Sequence, residues 1–134
     1  SFTTEEIYQL VIKKNKSIHL EKFLKFPESF KNDELNKKWL ELIKIRNKCN
    51  ISIEEKRASK EIGSSLEAEL NIKINNKFQN LFANVDFSEL CITSKAEVTY
   101  HNIEELEVFT QKMQGNKCSV CWKISPEACI RHPE

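Results

Sequence analysis

The chain has 134 residues, 40% hydrophobic and 31% charged, with 21 basic and 20 acidic side chains and a formal net charge of +1. That length holds one or two small domains with a real core, and no stretch approaches the roughly 18 apolar residues of a membrane span. The five cysteines lack framework-like spacing, which points to a reducing, cytoplasmic setting. The N-terminal run Ser1-Phe2-Thr3-Thr4-Glu5-Glu6 has no basic segment followed by an apolar run, so it does not read as a signal peptide.

A first helix is expected at 4–14, where Thr3 and Glu6 have capping-box spacing and Ile7, Tyr8, Leu10 and Val11 form an apolar stripe. Residues 15–31 read as a loop punctuated by Ser17, Pro27 and Ser29. Its apolar anchors Ile18, Leu20, Phe23, Leu24, Phe26 and Phe30 are expected to pack on a helix surface. The longest element is a helix at 33–61, capped by Asn32 or Asp33, with Leu35, Trp39, Leu42, Cys49 and Ile53 at helical steps. Gly63 is expected to end it as a left-handed cap. From Leu66 to Ile74 apolar and polar residues alternate, the pattern of a half-buried strand. Asn75 or Asn76 then caps a short helix carrying Phe78, Leu81 and Phe82. Strands are expected at 88–93, 96–100 and 104–110. The fold class is α+β: a helical-bundle part over 1–62, a small mixed sheet with one short helix over 63–112, and a zinc-knuckle-like segment over 113–134.

Charge is unevenly spread. Residues 31–60 carry net +4, residues 61–110 net −6 and residues 111–134 net +2. Two basic blocks flanking an acidic middle give a mild signal for polyanion contact.

The chemistry-bearing motif is Lys117-Cys118-Ser119-Val120-Cys121-Trp122. Two thiolates three residues apart fit on one tight turn, which is why this spacing recurs in zinc sites. Downstream, Cys129 and His132 are the further ligand candidates. Either the site closes within the chain as Cys-x2-Cys-x7-Cys-x2-His, or it belongs to a longer motif. Three histidines, at 19, 101 and 132, have no nucleophile beside them, so no triad is expected. Two glycines in all leave no phosphate-cradling loop.

RNA recognition combines cations for phosphates with aromatic planes for unstacked bases. Trp122, flanked by Lys117 and Lys123, fits that description; the competing reading is that Trp122 covers the thiolates. Lys37, Lys38, Lys44 and Lys48 line one side of the long helix, either for phosphates or as a solvated face. Arg46 lies on the apolar stripe and reads as one half of a structural ion pair. Arg57 and Glu61 have i,i+4 spacing for a local pair. His19 is expected to pack in its loop, and Cys49 and Cys91 to be small core residues.

Four ordered segments resemble the C-terminal part of bacterial isoleucyl-tRNA synthetases. Phe2-Thr3-Thr4-Glu5-Glu6-Ile7-Tyr8 is similar to the family's Phe-Thr-x-Glu-Glu-Ile-Trp helix, and Ser17-Ile18-His19-Leu20 to its Ser-Val-His-Leu loop. Lys60-Glu61-Ile62-Gly63-Ser64-Ser65-Leu66-Glu67-Ala68-Glu69 resembles a phrase from the same region. Gly115-x-Lys117-Cys118-x-x-Cys121-Trp122 resembles its Gly-x-Lys-Cys-x-Arg-Cys-Trp knuckle. Tyr8, Val120 and Phe26-Pro27 depart from the usual tryptophan, arginine and Trp-Pro. The family continues through a His-Pro-x phrase, matched by His132-Pro133-Glu134, to a second cysteine pair. The resemblance therefore implies that this pair lies beyond Glu134 and that the chain is part of a longer polypeptide.

The resemblance further implies the end of an anticodon-binding helical domain followed by a zinc-knuckle region. It implies a monomer with isoleucine tRNA and the upstream domains of the same polypeptide as partners, and no membrane. The parent enzyme is then isoleucine–tRNA ligase, with ATP and Mg in an upstream catalytic domain. Its His-x-Gly-His and Lys-Met-Ser-Lys-Ser signatures are absent from this sequence, so no catalytic residue is expected here. A stand-alone zinc-bearing module that binds protein or nucleic acid is the alternative.

Overall fold

Ala68, Leu70, Ile72 and Ile74 alternate with Glu69, Asn71, Lys73 and Asn75, and that alternation builds the central strand of the molecule. In the computed structural model, which describes residues 2–12 and 16–132, strand β1 spans Ala68–Asn75, each apolar residue buried and each polar one half-buried. It pairs in parallel with β2 (Lys95–His101), Ile72 opposite Val98. It pairs antiparallel with β3 (Glu107–Lys112), Ile72 opposite Val108. The sheet order is β2-β1-β3, so the expected mixed sheet and α+β class are found.

The long helix α2 runs from Asp33 to Ala58 and buries Leu42, Ile45, Cys49 and Ile53, one face at helical spacing. These side chains join Ile62, Ala68, Leu70, Ile72, Ile74, Phe82, Phe87 and Cys91 in one core. Burying each Leu, Ile or Phe contributes about 1.5–3 kcal/mol. Ser52 Oγ and Thr110 Oγ1 share a hydrogen bond of 2.7 Å, tying α2 to β3. The period change at Gly63 marks where helix gives way to sheet, and side chains on both sides of it share this core.

Several expectations are corrected. Gly63 is not the left-handed cap: Lys60, at φ 61°, turns the chain instead, and its N–H bonds the Arg57 carbonyl at 3.0 Å. Residues 88–93 are not a strand. Asp86 accepts from the N–H groups of Ser88 and Glu89 and caps α4 (Phe87–Cys91), which ends on Ile92 at φ 56°. That cap lets Phe87 and Cys91 bury on one side. The short helix α3 spans Gln79–Phe82 after a 3-10 turn at Asn76–Phe78, with Asn75 capping that turn. Phe78 stacks on Phe82 and Phe82 meets Phe87 edge-on, with ring centroids 5.4 and 6.0 Å apart. Leu35 and Trp39, expected on the buried stripe of α2, remain 49% and 46% exposed. Arg57 pairs with Glu54 at 2.7 Å, while Glu61 pairs with Lys56. Arg46 bonds a carbonyl, Leu90 O at 3.0 Å, not a carboxylate. Cys49 and Cys91 are core residues as expected.

Residues 1–33 form a separate unit. Helix α1 covers Phe2–Ile12, so Thr3 lies inside it and is not its cap; residues 13 and 14, expected to extend it, lie outside the described residues. Glu5 organises this unit, accepting from Gln9 Nε2, Ser17 Oγ and the Ile18 N–H at 2.8–2.9 Å. The loop holds two 3-10 turns, Ile18–Leu20 and Glu28–Phe30. Of its expected anchors, Leu20, Phe23, Leu24, Phe26 and Phe30 are exposed and Ile18 is half-buried. His19 is exposed too.

Candidate metal centre

The knuckle begins where Gly115 takes φ 136°. A side chain there would place its Cβ 2.2 Å from the Ser125 carbonyl oxygen, so only glycine lets the two arms meet. They pair as β4 (Asn116–Lys117) and β5 (Ile124–Ser125). The Cys118 N–H bonds Lys123 O, and the Trp122 N–H bonds Cys118 O, both at 3.0 Å. This closes a tight loop with both thiols on its inside edge.

Cys129 and His132 return to the same point. Cys118 Sγ lies 3.7 Å from His132 Nδ1, Cys121 Sγ 3.7 Å from Cys129 Sγ, and Cys129 Sγ 3.6 Å from His132 Nδ1. All four ligand atoms fall within 4.8 Å of one another. A tetrahedral zinc with bonds of about 2.3 Å to sulfur and 2.0 Å to nitrogen has ligand–ligand edges of roughly 3.5–3.8 Å. These three separations match those edges, and three thiols with one imidazole are a zinc-type donor set. The residues present fit the ion. Backbone N–H groups of Cys121 and then Val120 point at Cys118 and lower its pKa to about 6. Cys121 is pulled down by the Lys123 N–H, but desolvation and the neighbouring Cys118 and Cys129 sulfurs raise it overall. One thiolate thus forms readily near neutral pH beside a sulfur that holds its proton.

Trp122 stands at the end of the loop with φ 64° and 60% of its surface exposed. A non-glycine residue in this left-handed region costs about 1–2 kcal/mol. The indole Nε1–H donates to Ser119 O at 3.2 Å, and Lys117 Nζ sits 6.0 Å from the ring centroid, within cation–π range. Trp122 therefore does not lie buried over the thiols.

The lysine candidates divide. Lys117 is exposed and reaches Glu67 only at 3.7 Å. Lys123 is turned onto Glu89 at 2.6 Å, its side chain 21% exposed. On α2, Lys37, Lys44 and Lys48 are exposed and Lys38 is half-buried; Lys44 pairs with Glu41 at 2.7 Å. No hydrogen bond or ion pair among the described residues joins these helix lysines to the knuckle. The structure thus brings together Cys118, Cys121, Cys129, His132, Trp122 and Lys117, and leaves Lys37 and Lys44 on a separate helix. Glu89, Glu67 and Ser94 bind the knuckle to the sheet unit, and none of them carries a local sequence signal for that contact.

Comparison with known proteins fits this picture. Residues 1–74 match the family described as anticodon-binding domain of tRNA ligase. The isoleucine–tRNA ligase of Pelagibacter ubique is 60% identical over 134 residues, covering 100% of this chain and 15% of that protein. The isoleucine–tRNA ligase of Gluconobacter oxydans is 35% identical over 133 residues, covering 94% and 13%. That of Zymomonas mobilis is 32% identical over 126 residues, again 94% and 13%. The chain thus spans only about a seventh of the length of these relatives.

Proposed function

The chain belongs to the anticodon-binding domain family of tRNA ligases, and from that premise we propose that it is the C-terminal tRNA-binding portion of an isoleucine–tRNA ligase. In this role it positions isoleucine tRNA for ATP-dependent aminoacylation at an upstream catalytic domain, which also holds ATP and Mg. The whole-chain similarity to isoleucine–tRNA ligases carries the reading, and it is what favours this function over a stand-alone zinc-bearing module.

The residues divide the work by chemistry. Cys118 and Cys121 hold a zinc ion, with Cys129 and His132 closing its shell. When bound, the ion supplies a crosslink between two turns of chain; it takes no part in bond making. Trp122 offers a π-face to an unpaired base, and stacking of this kind is worth about 1–3 kcal/mol per base. The backbone strain at Trp122 supports this role, because a bulky ring kept where glycine would relax the chain points to a function for the ring. Lys117 meets a phosphate beside that base. Lys37 and Lys44 add phosphate contacts along α2, and Lys123 acts mainly through its ion pair. Residues 1–62 serve as the end of the anticodon-binding helical domain, 63–112 as a junction and 113–134 as the knuckle. The protein works in the cytoplasm as a monomer. Among the described residues no helix is long and apolar enough to cross a membrane.

Metal analysis after dialysis tests the centre. One tightly held zinc per chain, lost in Cys129→Ala or His132→Ala, is the expected result. Zinc retained in both variants would show that these residues do not close the shell.

A further inference from the structure

A single carboxylate oxygen holds both ends of the metal loop. Glu89 Oε1, on α4, accepts from Lys123 Nζ at 2.6 Å and from Arg131 Nη2 at 2.9 Å. Lys123 directly follows Trp122, and Arg131 directly precedes His132. Nearby, Ser94 Oγ accepts the Ile124 N–H at 2.6 Å and donates to the Leu66 carbonyl. Strand pairing does not do this work, since β4 and β5 pair only with each other. Metal ligation joins residues 118 and 121 to 129 and 132, but it does not fix that assembly against the sheet. Side chains of α4 and of the turn before β2 do.

We propose that Glu89 is a positioning residue, which orients the metal loop and the Trp122 ring for RNA without touching the RNA itself. This rests on the tRNA-binding reading above. The ion pairs are exposed, with side-chain exposures of 47% for Glu89, 21% for Lys123 and 60% for Arg131. Pairs this exposed add little to global stability. Their contribution is geometric: two bonds to one oxygen, from opposite ends of a loop, restrict its orientation beyond what the Ser94–Ile124 and Glu67–Lys117 contacts do. Truncating the acid therefore frees the loop while the core stays folded.

The test uses the metal-loaded chain carrying Trp39→Phe, which leaves Trp122 as the only tryptophan. Trp122 fluorescence anisotropy and the Kd for isoleucine tRNA are measured with Glu89, Glu89→Gln and Glu89→Asp. Glu89→Gln is expected to keep its metal and its melting temperature. Its Trp122 anisotropy should fall, and its tRNA affinity should weaken roughly two- to fivefold, as loss of one or two exposed ion pairs allows. Glu89→Asp should restore part of both. Unchanged anisotropy in Glu89→Gln overturns the proposal, and so does loss of metal or of the folded core, which would make Glu89 merely structural. Trp122→Ala is the control for the underlying reading. If it leaves tRNA affinity unchanged, the base contact fails, while the anisotropy result still decides what Glu89 does.

Discussion

Replacing Gly115 by alanine puts a methyl group where the two arms of the knuckle touch. The new Cβ would lie 2.2 Å from Ser125 O, 2.4 Å from Ser125 C and 2.7 Å from Pro126 N. All three are backbone atoms, so no side chain can swing away. The φ of 136° adds conformational strain of about 1–3 kcal/mol, and overpacking costs a further 1–3 kcal/mol or so. Gly115 lies outside the sheet core, so most of this cost falls on closing the β4–β5 hairpin, which metal binding requires. A loss near 3 kcal/mol is roughly a hundredfold in metal affinity, because binding and local folding are coupled. A chelator competition at fixed pH reads this directly. The control is Gly63→Ala, whose Cβ would meet nothing closer than Glu67 carboxylate oxygens at 3.6 Å; its effect should stay within about 1 kcal/mol. Wild-type metal retention in Gly115→Ala, or equal damage from Gly63→Ala, would refute the reasoning.

Other substitutions follow from the same geometry. Trp122→Gly should relieve the left-handed strain, stabilising the knuckle by about 1 kcal/mol in thermal unfolding, while tRNA affinity drops; a destabilised variant with intact binding would reverse that assignment. Ile72→Ala, at 1% exposure in the central strand, should cost about 2–5 kcal/mol in denaturant unfolding. Asp86 is held below its ordinary pKa of 3.8 by the Ser88 hydroxyl, with the N–H groups of Glu89 and Ser88 adding to the effect. A lowered folded-state pKa contributes stability in full above the unfolded value, and that contribution is lost as pH falls through the folded one. Asp86→Asn should therefore lower stability at neutral pH, where that contribution is full, and flatten the acid limb of a circular-dichroism stability profile below about pH 4.

The parts of the fold that sequence discloses are those with a long uninterrupted period. Strand β1 is legible because four apolar residues alternate over eight positions. Helix α2 is legible because apolar residues recur at helical steps along it, although only Leu42, Ile45, Cys49 and Ile53 are buried. The failures lie where a short segment satisfies two patterns. Ser88–Thr93 has enough apolar residues to pass for a strand, and the Asp86 side chain decides for helix by satisfying the first free N–H groups. Gly63 looks like a cap because glycine tolerates positive φ, yet Lys60 takes that conformation two residues after the helix ends. In the centre, the Cys118/Cys121 spacing is local and readable. That Cys129 and His132 arrive at the same point depends on how the loop folds back, and the mooring on Glu89 depends on contacts 34 and 42 residues apart. Such contacts have no local sequence signal.

The role proposed for this chain is binding of isoleucine tRNA. A titration of the metal-loaded chain with isoleucine tRNA and with an anticodon-swapped control tests it most directly. The account predicts weak binding that favours the cognate anticodon and falls with rising salt, because phosphate contacts release counterions. Binding that is salt-insensitive, or equal for the two tRNAs, would contradict it.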